Sequence, residues 1–278
     1  MKVLGLIPAY NEEDCIRNGV LALRKACDEV HVFDHGSKDK TSEIAKQTND
    51  ECDGCEVVVH YVDRTEVPPR DKRGFQSQGI WNVLGHYALS RVDDIDWVIL
   101  SNADLILREP DGKLATKAGL QAEHDKGTQV IRPLIRNFRM TEADDMSVDD
   151  YLLRMKRCQI NAKNHSPRAW RVEMTPHDMP LGAHIQDKGP KLQPFYGLWP
   201  NGTVVSNNEW LLDHYPFRTI EQATRKVVAD RDWLMPNGKR RYHQHFRENG
   251  SAVKLVHSVD RRMTNETRNL EMPCASTT

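Results

Sequence analysis

An amide and a carboxylate, two residues apart, close one of the most apolar stretches of the chain. Trp97-Val98-Ile99-Leu100 runs into Ser101-Asn102-Ala103-Asp104, and the chain turns apolar again at Leu105-Ile106-Leu107. A carboxylate at the tip of a buried strand suits a hard divalent cation. The amide oxygen beside it accepts from a hydroxyl or ligates the same ion, but it brings no charge. With one carboxylate instead of two, metal affinity is weak unless a further ligand contributes. A second acidic position, Asp34, ends another apolar run and is followed by His35-Gly36-Ser37, a turn sequence, with Asp39 and Thr41 placed to cap a helix.

The elements that must carry these residues follow from the apolar patterning. Residues 2–8, 29–34, 56–62 and 96–100 read as short buried strands. Residues 40–47 and 74–91 read as helices, and Asn11 as the cap of another whose first turn holds Glu12, Glu13 and Asp14 and whose face is Ile16, Val20, Leu23 and Cys27. Strand–helix alternation predicts an α/β fold with a parallel run of strands and helices on both faces. Ligands of such sheets gather outside the carboxyl ends of the strands, where the segments after residues 8, 34 and 100 converge. Further on, residues 147–158 read as a helix capped by Ser147. Residues 219–234 read as a helix with Thr219 and Gln222 forming a capping box. Residues 160–218 are rich in Pro, Gly, His and Trp and read as short strands and loops over a pocket.

Composition sets the limits. The chain has 278 residues, 38% hydrophobic and 28% charged, with a net charge of −1, as expected of a globular protein with a sizeable core. Near-neutral charge argues against a protein held to nucleic acid by bulk electrostatics, although basic clusters occur at 70–73, 238–241 and 260–263. No stretch approaches the roughly 20 apolar residues that span a bilayer, and the N-terminal apolar run is too short for a signal sequence, so a cytoplasmic location is expected. Six scattered cysteines suit reduced surface thiols. Cys52 and Cys55 form one CxxC pair; His243 and His245 are the residues available to complete a zinc site with it.

"IPAYNEE", "FDHGSKDKT" and "DWVILSNADLIL", taken together, resemble the family-2 glycosyltransferases of GT-A type. "DHYPFRTIEQATRK" (213–226) is similar to a branch of that superfamily with a late His-Tyr, an Arg-Ser/Thr and a following Lys. The resemblance covers the first ~110 residues and returns at about 180–226. It implies a Rossmann-like single domain with a mixed central sheet, divided into a nucleotide-sugar-binding half (1–110), an acceptor-side half (111–247) and a polar tail (248–278). It also implies transfer of a sugar from a nucleotide-diphosphate sugar, UDP-sugar first, to a hydroxyl acceptor, with Mn²⁺ or Mg²⁺ as cofactor. A catalytically silent relative that only binds nucleotide sugar or glycan is the alternative.

By that resemblance Pro8, Tyr10, Glu12 and Asp34 contact the nucleotide, and Arg73 and Gln78 contact the donor. Asn102 and Ala103 serve the sugar. Asp104 holds the metal, and His214 or His184 completes its site. Arg218 and Lys226 face phosphates. The family's usual Asp-Asp pair is here Asp34-His35, and its Asp-x-Asp is Asn102-Ala103-Asp104, so two carboxylates are missing. Asp178 and Glu173 are the candidates for the base that deprotonates an acceptor hydroxyl. The acceptor implied is a glycan, while the basic clusters and Trp170, Trp199 and Trp210 allow a nucleobase in DNA.

Overall fold

The computed structural model describes residues 1–51, 54–65, 78–141, 143–161, 167–175, 202–224 and 264–265. Its first sheet is built from β1 (Val3–Ala9), β2 (Glu29–Asp34), β3 (Glu56–Tyr61), β4 (Trp97–Leu100), β6 (Val130–Ile131) and β9 (Ala169–Arg171), in the order β3-β2-β1-β4-β9-β6. The four strands β3, β2, β1 and β4 are mutually parallel, and β9 runs antiparallel between β4 and β6. A second sheet has the order β11-β8-β7-β10-β5, from β5 (Leu105–Arg108), β7 (Leu134–Phe138), β8 (Arg157–Asn161), β10 (Leu211–His214) and β11 (Thr264–Asn265). The strand pair β11–β8 ties two residues of the polar tail to the body of the fold. The expected α/β class with a mixed sheet is present.

Alternation along β1 explains the layering. Val3, Ile7 and Ala9 pack on one face with Ile16, Val20 and Leu23 of α1 (Ile16–Arg24) and Ala45 of α2 (Thr41–Gln47). Leu4 and Leu6 pack on the other with Ile80, Trp81, Leu84 and Ala88 of α3 (Gln78–Leu89). The remaining helices are α4 (Lys117–Asp125), α5 (Tyr151–Arg154) and α6 (Ile220–Thr224).

Several expectations need correction. Helix α1 begins at Ile16, not after Asn11, whose φ is +54° and whose Oδ1 accepts from Lys38 N–H. The acidic run 12–14 is therefore a turn before the helix. Its backbone donors are taken from outside: Asn11 N–H by Ser37 Oγ, Glu12 N–H by Thr41 Oγ1 and Glu13 N–H by Asp39 Oδ2. Asp39 and Thr41 thus serve the neighbouring loop; Asp39 Oδ1 also accepts from Thr41 N–H, the first residue of α2, while Lys40 at the N-cap position makes no side-chain cap. Residues 151–154 form a single turn capped by Asp150, not Ser147. In α6, Thr219 Oγ1 accepts from Gln222 N–H, while Gln222 Oε1 reaches Arg218 N–H, one residue earlier than the capping box requires. Among the described cysteines, Cys15, Cys27, Cys55 and Cys158 are free thiols buried in the core, not on the surface. Cys52, His243 and His245 lie outside the described residues.

Glycine 19 sets the distance between α1 and the strand tip. A β-carbon there would stand 2.7 Å from the Ala103 carbonyl oxygen, closer than backbone allows. Gly19→Ala is expected to destabilise the fold by about 1–3 kcal/mol through overpacking and to displace the 102–104 turn. Urea unfolding against the wild type measures the first effect, and ligand affinity the second.

On the α3 face, β2 and β3 present a polar cluster. His31 Nε2 donates to Glu29 Oε2 (3.2 Å), leaving Nδ1 as an acceptor reached by Tyr87 OH (2.9 Å) and His60 Nε2 (2.8 Å). Arg91 binds both Glu29 oxygens and holds that carboxylate below its usual range, and His60 stacks on Phe33 at 4.6 Å. Burial lowers the pKa of both histidines. A histidine with a depressed folded pKa binds fewer protons folded than unfolded. Stability is therefore constant above the unfolded value of about 6.5 and falls as pH drops below it. Urea midpoints at pH 7.5 and pH 5 should differ accordingly, and His31→Gln should shrink the difference.

Candidate functional site

The parallel strands all end on one edge, and the tip of β4 is its centre. Asn102, Ala103 and Asp104 form the tight turn between β4 and β5, closed by Leu105 N–H on the Asn102 carbonyl at 3.1 Å. Strand β10 lies antiparallel to β5 with His214 opposite Leu105, so the register delivers His214 to Asp104. Tyr215 N–H also bonds the Asp104 carbonyl at 2.9 Å.

The expected pair has come together: His214 Nε2 is 3.7 Å from Asp104 Oδ2, with both side chains nearly buried. His214 Nδ1 is 2.8 Å from Asn137 Oδ1 on β7. An amide oxygen accepts, so Nδ1 carries a hydrogen and Nε2 is the nitrogen that faces the carboxylate. An imidazole nitrogen facing a carboxylate, with the amide of Asn102 two residues away, is a mixed nitrogen–oxygen donor set that fits a divalent ion such as Mn²⁺. Asn137 is a positioning residue that sequence reading missed, because β7, Leu-Ile-Arg-Asn-Phe, lacks the apolar pattern of a strand.

Charge around Asp104 is balanced by arginine. Arg218 is buried, donates to both oxygens of Asp14 (2.8 and 3.0 Å) and to Glu12 Oε2 (2.8 Å), and comes within 3.8 Å of Asp104 Oδ2. Glu12, Asp14 and Cys15 offer ligand atoms within 4.8 Å of one another, and the Arg218 guanidinium bonded to both carboxylates offsets one of their two negative charges. Their neighbourhood raises the arginine's own pKa. Arg218 is thus a clamp between the loop after β1 and the segment after β10, with its donors turned to carboxylates and not toward a phosphate.

One element below the site fixes β10. Asp213 is fully buried between Arg108 Nε and Arg136 Nε, each at 2.6 Å. Its side chain points into the fold, so His214, the next residue on the strand, points to the site.

The other expected residues are placed as follows. Pro8 is buried in β1, and Tyr10 lies just past it, with the Arg64 guanidinium 4.3 Å from its ring centroid. Gly36, at φ +71°, leaves room for Arg64; a β-carbon would stand 3.1 Å from Arg64 Cδ. Asp34 is buried and engaged within its own loop by Ser37 N–H and Ser42 Oγ. His35 is buried, its N–H on the Ala9 carbonyl. Ala103 faces Gly19, and Gln78 opens α3. Glu173 is exposed beyond β9, where Val172 bonds Asp96 at the start of β4, the edge opposite Asp104. The sheet therefore keeps it away from the others. Trp170 and Trp210 are core residues, bonded to Thr175 and Glu123, and offer no stacking face. Arg73, Asp178, His184, Trp199 and Lys226 lie outside the described residues.

Residues 6–64 match the model of Glycosyl transferase family 2. The matched segment runs from β1 to just past β3, the part whose strand ends carry Tyr10, Glu12 and Asp34, and it agrees with the resemblance read from the sequence. A search of curated proteins gives no match. Among solved structures, the chain is similar to S. aureus TarS, with a TM-score of 0.38 and 19% identity over 63% of this chain and 29% of that one. It is also similar to glucosyl-3-phosphoglycerate synthase from Mycobacterium tuberculosis, solved with phosphoglyceric acid, with a TM-score of 0.35 and 18% identity over 62% and 57% of the two chains. The chain thus spans under two thirds of either. No helix among the described residues is long and apolar enough to cross a membrane.

Proposed function

We propose that the protein transfers a sugar from a nucleotide-diphosphate sugar, a UDP-sugar first, to a hydroxyl of a glycan acceptor. The observation that carries this reading is the meeting of Asp104 and His214 at the strand edge served by the glycosyltransferase family 2 segment. Departure of a nucleoside diphosphate needs a counter-charge. Asp104 and His214 would hold a divalent cation, Mn²⁺ or Mg²⁺, with Asn102 as a neutral neighbour, and the ion supplies Lewis-acid stabilisation of the diphosphate when bound. The residues themselves do the positioning. Asn137 sets the tautomer of His214, Arg218 holds the loop after β1 against β10, and the loop bonds from 37–41 to 11–13 fix Tyr10 and Asp34 relative to one another.

The glycan acceptor is preferred over DNA because Trp170 and Trp210, two of the three tryptophans considered for stacking on a base, are in the core. The division into a nucleotide half and an acceptor half rests on where these loops lie.

The test is release of nucleoside diphosphate by purified protein with Mn²⁺, offered UDP-, GDP- and dTDP-sugars with and without oligosaccharide acceptors. Release or transfer with one donor class supports the reading. Tight donor binding without hydrolysis or transfer would establish the silent alternative. Asn137→Ala is expected to weaken Mn²⁺ about 10–100-fold by freeing the imidazole ring, read by metal titration of the purified protein.

A further inference from the structure

Arg168 holds a buried guanidinium for which the fold offers no partner at two of its nitrogens. Its backbone is pinned where the sheet ends: its carbonyl accepts from Leu100 N–H at 2.8 Å, and its own N–H reaches the Ile131 carbonyl at 3.0 Å. It therefore lies beside the last residue of β4, two positions before Asn102. The side chain is 1% exposed, and neither Nε nor Nη1 makes a hydrogen bond. Every other buried arginine among the described residues donates to a carboxylate or a carbonyl, as Arg24, Arg108, Arg136, Arg154 and Arg218 do. At the same strand tip, Asn102 is 7% exposed and its Oδ1 also has no partner.

Unpartnered buried polar groups are strongly unfavourable, and a buried cation without acceptors more so. Two of them at one strand end, one a donor cation and the other a neutral acceptor, are complementary to a single kind of ligand: an anionic oxygen with a hydroxyl close by. Burial pulls Arg168 down to about 10 while the Asp104 charge opposes that, so it is still a cation at neutral pH. An aspartate at position 102 would stand beside this cation as a second carboxylate; the amide leaves it available to a ligand.

We propose that Arg168 and Asn102 form an oxyanion–hydroxyl subsite, in which Arg168 donates to a phosphate or carboxylate oxygen of the ligand and Asn102 Oδ1 accepts from its neighbouring hydroxyl. Which group brings the oxyanion depends on the transferase reading above: it is the donor diphosphate or an acid group on the donor sugar.

Calorimetric titration with inorganic pyrophosphate, UDP, UDP-glucose and UDP-glucuronate, on the wild type, Arg168→Met, Arg168→Lys and Asn102→Asp, tests this. Arg168→Met and Asn102→Asp should each weaken binding at least tenfold, with partial recovery in Arg168→Lys. Loss shared by pyrophosphate, UDP and UDP-glucose assigns the diphosphate, whereas loss confined to UDP-glucuronate assigns the sugar acid. If the wild type binds no nucleotide but binds pyrophosphate through Arg168, the subsite stands and the transferase reading fails. If the wild type binds nucleotides and Arg168→Met binds them equally well, the transferase reading stands and the subsite is overturned. Binding of none of the four probes by the wild type also overturns it. Arg168→Met should melt no lower than the wild type, because it removes two buried donors, Nε and Nη1, that have no hydrogen-bond partner; a marked drop means that Arg168 is structural and likewise overturns the proposal.

Discussion

Asp213→Ala is expected to destabilise the protein by about 3–5 kcal/mol, the range for removing one partner from a buried ionic cluster. The mutation strands two guanidinium groups, Arg108 and Arg136, that both bind this carboxylate at 2.6 Å in the interior. Desolvation makes the loss larger than that of any surface pair, whose worth is about 0–1 kcal/mol. Asp213→Asn keeps the shape and one acceptor oxygen but not the charge, and should fall between the two. Urea unfolding at neutral pH gives the values. A cost under 1 kcal/mol for Asp213→Ala would mean that water reaches the two arginines. Because His214 is the next residue on β10, the destabilised variants should also lose Mn²⁺ affinity in a folded-state titration.

The second large effect is at the site itself. Asp104→Asn should lower donor turnover at least 100-fold, on the scale of losing one preorganised electrostatic group in an active centre, about 10²–10³. His214→Gln should do the same if both ligate one ion. The two losses together should be far from additive, because either one alone disables the pair. Steady-state release of nucleoside diphosphate at saturating Mn²⁺ measures it. Equal activity of Asp104→Asn and the wild type would remove Asp104 from the reaction, and with it the observation on which the proposed function rests. Asp104→Asn leaves the Asp104 carbonyl to accept from Tyr215 N–H, and urea unfolding of the variant separates a loss of turnover from a loss of fold.

The sequence made β1, β2 and β4 legible because they are buried along nearly their whole length and are mainly apolar, whereas the short strands β6 and β9 of the same sheet left no such run. The pair Asn102 and Asp104 could be read as a strand tip for the same reason. His214 was reachable only through resemblance, since nothing local says that a strand one hundred residues later returns antiparallel to β5. Asn137 and Arg136 were invisible: β7 has a buried arginine at its centre, so its pattern is not that of a strand. Helix α1 was read too early because the acidic run 12–14 has the composition of a helix start. Tertiary partners, Ser37, Thr41 and Arg218, take the groups a helix would have used. Arg168 lay in a stretch without periodicity, and its significance is a missing partner, which only three dimensions reveal.

The Arg218 clamp has a consequence for assembly. It closes a contact between residues 12 and 218, so Glu12 and Asp14 lack their arginine until almost all of the described chain has been made. Loop closure over such a separation is slow compared with local pairing. The four parallel strands β1 to β4 all lie within the first 110 residues, whereas the loop after β1 acquires its arginine from the far end of the described fold. A chain that stops short of Arg218 presents Glu12 and Asp14 without the guanidinium that binds them in the finished fold.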